Sequence, residues 1–212
     1  MSRRPLTYAR TAGILYLITH VTSVTAVAAY AGDAVALGVV LELTLAVGCL
    51  GTGILLALLL RSMGPARAAT FAGLRAIEAA VIAVGTLPML ALTSTVGAPT
   101  TDVLLALHSA AFLVGQGLVI SVNTIVLGWL LLDARVVPRA LAVLGMSGGV
   151  LVLTSNTAQL FGLIPQGGTI AGLCAVPIFA FEIWFAITLI AVGLRPRGAS
   201  PAPALPEHIR AA

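Results

Sequence analysis

The stretch IAGLCAVPIFAFEIWFAITLIAVGL, residues 170–194, is a long apolar run that holds a single charged side chain, Glu182. As a helix rising 1.5 Å per residue, the run is long enough to cross a bilayer, and it leaves Glu182 ~18 Å from either end. An ionised carboxylate is costly at that depth, so we expect Glu182 to be neutral, paired or turned into a cavity within a helix bundle. An ionisable residue in this position is a candidate functional residue.

Aromatic residues crowd around this acid. Three of the six Phe and one of the two Trp in the chain lie within three residues of Glu182: Phe179, Phe181, Trp184 and Phe185. Aromatic faces stabilise cations, although on a helix only part of this set can share the face of Glu182. Such residues also commonly face lipid, so both interpretations stay open.

Composition excludes a soluble globular protein. The 212 residues are 59% hydrophobic and 8% charged, and the mean hydropathy is +1.11. The basic residues are all Arg, and the net charge of +4 comes from loops and tails, so no nucleic-acid partner is expected. Cys49 and Cys174 fall inside apolar runs and are expected to be small packing residues.

Six apolar runs can each span a bilayer, and short connections rich in Gly and Pro join them. The sequence therefore predicts an all-α integral membrane protein, a compact bundle of six transmembrane helices over residues 1–197. Residues 198–212, with three Pro, are predicted to be a disordered cytoplasmic tail. The six runs are approximately Thr11–Tyr30, Ala34–Leu60, Ala68–Leu92, Val103–Leu132, Ala140–Leu163 and Ile170–Leu194.

The distribution of Arg predicts the orientation. Arg residues precede the first run, lie between runs two and three and between runs four and five, and follow the sixth, whereas the alternate loops hold none. Arg10 is expected just before the first helix. By the positive-inside rule both termini are cytoplasmic, in a multi-pass protein of the plasma membrane. Arg75 alone breaks the pattern.

Polar side chains recur within the predicted helices. Arg75 and Glu78 lie three apart on one face of helix three, where they form either an ion pair or an anchor for a substrate head group. Glu42 lies ~12 Å inside helix two and has no basic residue on its own helix. Further polar or aromatic residues share inward faces: His108, Phe112, Gln116 and Asn123 on helix four, Tyr16, His20 and Ser23 on helix one, and Asn156 and Gln159 on helix five.

Each of these polar residues could simply form an interhelical hydrogen bond, but six helices that each donate one at similar depth favour a shared site. Within the membrane one cation, Arg75, faces Glu42, Glu78 and Glu182, which gives +1 − 3 = −2 if all three ionise. A low-dielectric interior disfavours that charge. Either His20 and His108 are protonated, or one or two carboxyls are neutral and can donate a proton.

Several segments together resemble a bacterial membrane family described as domain of unknown function 4386. They are ARTAGILYLITHVTS near the start, the single Glu of helix two, RAIE in helix three, HSAAFLVG in helix four, VPRALAVLGMSGG in helix five, and the late Glu followed by Trp. This resemblance covers nearly the whole chain and implies the helix count but no activity. The chain is more distantly similar to small integral-membrane cyclases of meroterpenoid biosynthesis, which use buried acids to protonate an isoprenoid. Those have seven helices against six here, so no residue role is transferred.

Three classes of function fit these residues. An enzyme could use a neutral carboxyl in a dry pocket to protonate an alkene or epoxide of a lipophilic, prenylated substrate, and aromatic faces would then stabilise the carbocation. A small proton-coupled carrier could use the same acids and histidines, with two three-helix halves as an inverted repeat. In an accessory membrane subunit the polar residues would only hold helices together.

We expect the first class, an acid-initiated terpene cyclase. Catalytic candidates are Glu42, Glu182, Glu78 and His108; substrate-binding candidates are Arg75, His20, Phe112, Gln116, Asn156, Phe181 and Trp184. Glu42, Glu182 and His108 are predicted to converge on one cavity, with Arg75 and Glu78 flanking it. Because no phosphate-binding Gly motif and no metal-spaced acids occur, no cofactor and no metal is expected, and the chemistry should begin by protonation. The partners are a lipophilic small molecule and the bilayer, and the oligomeric state is left open.

Overall fold

The computed structural model describes residues 3–94 and 98–194, and within these ranges the regular structure is entirely helical. A π-helical segment, Leu113–Val119, joins two of the helices without a break. The α-helices are α1 Arg3–Ala31, α2 Val35–Leu60, α3 Pro65–Leu92, α4 Ala98–Phe112, α5 Ile120–Ala134, α6 Arg139–Leu160 and α7 Thr169–Ala191.

Six of these helical stretches are long and apolar enough to cross a membrane, because α4, the π segment and α5 together make one span. The predicted six-helix membrane bundle is confirmed, and the helix bounds differ from the apolar runs by a few residues at most sites. The predicted tail, residues 198–212, lies outside the described residues.

The spans form a closed ring. Each packs against its neighbours in sequence, and α7 returns to pack against α1. The turns before α3 and before α6 lie at the end where α1 begins, together with Arg61, Arg67, Arg135 and Arg139; we call this the basic end. The opposite end carries the turns at residues 32–34 and 161–168, which contain no basic residue.

Arg10 lies inside α1 rather than before it, because the helix continues beyond the apolar run towards the basic end. Its Nε donates a hydrogen bond to the carbonyl of Ile190, 3.2 Å away in the last turn of α7. A cation is favourable there because the final carbonyls of a helix carry partial negative charge. Arg10 therefore helps to close the ring between α1 and α7.

The two halves of the bundle are packed differently. The basic half is filled by a large apolar core in which the biggest side chains are less than 2% exposed, including Leu56, Phe71, Leu130, Phe181 and Phe185. The opposite half holds only a smaller apolar cluster between α2 and α3, around Leu45 and Ile82. Space for a cavity is therefore left towards the opposite end.

Candidate functional site

A cavity of about 230 Å³ lies inside the ring, with mostly apolar walls. Five of the six spans line it, and the buried ionisable residues are concentrated in its wall. The lining residues that matter below are Ser23 and His20 of α1, Cys49 of α2, Arg75 and Glu78 of α3, Phe112 and Gln116 of the fourth span, and Phe179 and Glu182 of α7.

His20 and Glu182 form a pair across the α1–α7 contact. The Nε2 atom of His20 lies 3.3 Å from Oε2 of Glu182, and both side chains are about nine-tenths buried. At the opposite edge of the imidazole, Nδ1 of His20 lies 2.8 Å from the carbonyl oxygen of Tyr16, one helical turn earlier in α1. Phe179 places its ring edge-on against the imidazole, with centroids 4.6 Å apart.

The geometry indicates which atoms of His20 and Glu182 carry hydrogen. A backbone carbonyl can only accept, so Nδ1 of His20 carries a hydrogen. Nε2 then faces a carboxylate oxygen, and two bare acceptors would repel each other at 3.3 Å. One proton between His20 and Glu182, on the imidazole or on the carboxyl, would relieve this repulsion. A pair with that proton would be neutral overall and would have one proton to transfer.

Arg75 and Glu78 form an internal ion pair that is about 1% exposed. Nη1 of Arg75 donates to both carboxylate oxygens of Glu78, at 3.0 and 3.1 Å. Nε and Nη2 donate to Oγ1 of Thr52, at 3.2 and 2.8 Å. Glu78 also accepts from Asn123 at 2.5 Å and from the thiol of Cys49 at 3.6 Å. These donors stabilise the charged form of Glu78, which makes it a poorer proton donor than a carboxyl without them.

Glu42 and His108 form a second pair, in a small pocket next to the main cavity. Nε2 of His108 lies 3.7 Å from Oε1 of Glu42, beyond hydrogen-bonding distance. The other carboxylate oxygen accepts a hydrogen bond from the hydroxyl of Tyr30 at 2.8 Å. Nδ1 of His108 donates to the carbonyl of Gly85 at 2.9 Å, in the turn where Pro88 removes one backbone donor from α3.

The two pairs balance the buried charge. Arg75 neutralises Glu78, which leaves two surplus carboxylates, and each of these lies beside one histidine. In both histidines a backbone carbonyl accepts from Nδ1, so Nε2 is turned towards the acid. One proton on each pair would bring the net charge of these buried residues to zero, which a low-dielectric interior favours.

Three apolar residues that line the cavity are also substantially exposed. Val24, Phe112 and Phe179 line the cavity, yet they are 60%, 40% and 43% exposed, so they form its rim between α1, α4 and α7. All three lie within the stretches that are long and apolar enough to cross a membrane. A lipophilic molecule could therefore reach His20 and Glu182 sideways from the bilayer.

The predicted site residues fall into two adjoining pockets rather than one. Glu182, His20, Arg75 and Glu78 line the main cavity, whereas Glu42 and His108 line the small pocket. Phe112 and Gln116 line both. The carboxylate of Glu42 lies in the small pocket because it accepts a hydrogen bond from the hydroxyl of Tyr30, just across the turn at residues 32–34.

Three predicted substrate-binding residues lie apart from this cavity. Phe181 is fully buried in the apolar core, stacked on Phe185. Trp184 is 42% exposed on the outer surface of α7, where the helical period turns it away from Glu182. Asn156 packs against Gly117 of the π segment and donates to the carbonyl of Val152.

Tyr30, Thr52 and Cys49 were not among the predicted site residues, although each contacts a buried ionisable group. Tyr30 could have been found, since it precedes Glu42 across a very short turn between antiparallel helices. Thr52 and Cys49 carry no such signal, because Thr and Cys are ordinary packing residues in membrane helices.

Comparison with known proteins gives one match. A family model described as "Domain of unknown function (DUF4386)" matches residues 11–193. No curated protein and no solved structure matches the chain. The match includes most of the first membrane-crossing stretch, the other five in full, and every residue that lines the two pockets.

Proposed function

The chain belongs to the DUF4386 family, whose description states no function, and from the geometry of the cavity we propose that it is a membrane enzyme that protonates a lipophilic substrate. The best candidate reaction is acid-initiated cyclisation of a prenylated, terpenoid compound in the plasma membrane. One observation carries the proposal: His20 and Glu182 lie 3.3 Å apart at the wall of a mostly apolar cavity, beside Phe112 and Phe179, which are 40% and 43% exposed.

In the proposed reaction Glu182 delivers the shared proton to an alkene or epoxide of the substrate. The new C–H or O–H bond leaves a carbocation, which is attacked by a second double bond to close a ring, and loss of a proton to cavity water completes an isomerisation. Phe179 and Phe112 are the aromatic faces within reach of the cavity, and they can stabilise the cation. The mostly apolar walls keep bulk water, which would otherwise trap the cation, away from it.

Arg75 has a supporting role in this scheme. Its guanidinium lies in the cavity wall but is fully paired by Glu78 and Thr52. Because Arg75 and Glu78 neutralise each other, the groups left to stabilise a carbocation are the aromatic faces of Phe112 and Phe179.

The test is a cyclisation assay on the protein in lipid nanodiscs, with a panel of prenylated indoles, quinones and epoxides. The variant E182Q keeps the shape of the side chain but cannot hold the transferable proton, so turnover should fall by a factor of ~10² to 10⁴. The matched control is D102N, an acid-to-amide change at an exposed position of α4, and it should retain activity. Equal turnover in E182Q and the parent protein would reject Glu182 as the acid.

A proton-coupled carrier is the second candidate, and the presence of two His–Glu pairs favours it. Against it, the apolar core fills the basic half of the bundle, so the described residues show no polar route to the basic end. Inactivity across the substrate panel together with proton-dependent solute uptake into proteoliposomes would favour the carrier. Inactivity in both assays would favour an accessory subunit.

A further inference from the structure

Glu42, His108 and Tyr30 have no part in the reaction proposed above, although burying them is costly. Their pocket is about 10 Å³, which is room for a single water molecule and far too small for a substrate. Three polar side chains, those of Glu42, His108 and Gln116, line it, as many partners as a buried water usually has. We propose that this second pair is a proton-supply site, which reloads the His20–Glu182 pair with protons from the opposite end of the bundle.

The depth of the residues supports this direction of transfer. Measured along their helices from the opposite end, Glu42 lies ~10 Å deep and His108 ~15 Å deep. On the same scale His20 lies ~17 Å and Glu182 ~20 Å deep. On this scale Glu42 is thus nearer the opposite end than Glu182 is. Beyond them Arg75 and the apolar core close the way to the basic end.

The two pockets are joined by shared side chains. Gln116 lines both, and its Oε1 accepts a hydrogen bond from the hydroxyl of Ser23 at 3.1 Å, three residues from His20. An amide does not relay protons readily, but it orients water, and a water in the small pocket would lie between His108 and the main cavity. The 3.7 Å gap between His108 and Glu42 leaves Nε2 free to turn to that water.

Each proton that leaves along this route is replaced by another. After Glu182 gives its proton to a substrate, the first pair is left as a carboxylate beside a neutral imidazole. The Glu42–His108 pair passes its proton through the water to that pair, and it regains one from solvent at the opposite end. Tyr30 stabilises the carboxylate of Glu42 in the interval, because its hydroxyl donates to Oε2. The inference rests on the proposed function only for the use of the proton; its supply can be measured without substrate.

The experiment is hydrogen–deuterium exchange followed by infrared spectroscopy on the protein in nanodiscs. The band of the shared proton is identified as the carboxylic-acid or imidazolium band that disappears in E182Q. Its exchange after transfer to D₂O is then timed in the parent protein, in E42Q and in H108Q. Exchange should be ~10²-fold slower in both variants, the low end of the effect of removing a positioned proton-transfer group. D102N, an acid-to-amide change near the same end of the bundle, should exchange at the parent rate.

Parent-like exchange in either E42Q or H108Q would overturn the proposal, because Glu182 would then be loaded without the second pair. Slow exchange in D102N as well would also overturn it, since the effect would not depend on the pair. Thermal unfolding of each variant shows whether it folds, and Y30F, which keeps the ring and loses only the hydroxyl, gives a milder version of the same test. Failure of the cyclisation assay leaves these outcomes unaffected.

Discussion

Arg75 shows how a full charge is kept inside the bundle. Its guanidinium donates to Glu78 and Thr52, and its Cζ lies 5.3 Å from the centre of the Tyr16 ring. In the described residues no buried side-chain nitrogen or oxygen lacks a partner. The stability of this network depends on each member being present, because a buried charge without its partner is much costlier than the pair.

We therefore expect Arg75→Met to lower the free energy of unfolding by about 3–5 kcal/mol, since Glu78 is then left as an unpaired buried carboxylate. The double variant with Glu78→Met should recover most of that loss, because both charges are gone. Denaturant titration in mixed micelles measures both values. A double variant as unstable as the single one would contradict the pairing.

Arg67→Met is the matched control for this prediction. Arg67 also forms an ion pair, with Asp133, and stacks over Trp129, but it lies at the basic end and its partner is about half exposed. An exposed pair of this kind contributes about 0–1 kcal/mol. A loss in Arg67→Met as large as in Arg75→Met would mean that burial does not decide the cost.

At the scale of elements, close helix contacts depend on glycines at particular positions. A Cβ atom added at Gly148 of α6 would lie 2.8 Å from the backbone nitrogen of Ile178 and 3.0 Å from its Cα. Backbone atoms of a packed helix cannot turn aside as a side chain can. The α6–α7 contact, which supports Glu182, therefore requires a residue without a side chain here.

Gly148→Ala should push α6 and α7 apart and lower the free energy of unfolding by about 1–3 kcal/mol, the usual cost of overpacking. Gly172→Ala, on α7, is the control, because a Cβ there meets nothing within 4 Å. The second variant should unfold like the parent protein or slightly later. If both variants have the same midpoint in a thermal unfolding experiment, the helices are not as close as the structure places them.

The π segment is the element that changes the course of the fourth span. Gly115 and Gly117 lie within it. The side chain of Asn156 of α6 packs so closely against Gly117 that a Cβ atom added there would lie 2.6 Å from its Oδ1. The wider turn changes the register between α4 and α5. As a result His108 and Gln116 face the pockets while Asn123 still reaches Glu78.

At the scale of the whole molecule, an even number of spans predicts that both termini lie on the same side of the membrane, and the distribution of Arg predicts that this side is the cytoplasm. A reporter that is active only outside the cytoplasm should be silent when fused to the C-terminus. The same reporter inserted after Asp33, in the turn at the opposite end, should be active. A signal from the C-terminal fusion would contradict the predicted orientation, and protons would then be supplied from the cytoplasmic side.

Local patterns along the chain were enough to predict the bundle. Apolar runs, glycine and proline in the connections, and the placement of Arg each depend on residues close together in sequence, and the structure has the six helices that they predicted. The inward face of the fourth span was also predictable, since His108, Phe112 and Gln116 recur at helical spacing. The surplus of two buried acids followed from counting charges.

Only the tertiary structure decided which histidine lies beside which acid. Glu182 lies beside His20 and Glu42 beside His108, so a predicted single cavity became two adjoining pockets. The tertiary structure also places Trp184 on the exposed outer surface and Phe181 in the core. Helical periodicity shows which residues share a face, but the partner of that face depends on the order of helices around the ring and on their rotation. Those are determined by packing between residues distant in sequence, such as Gly148 against Ile178.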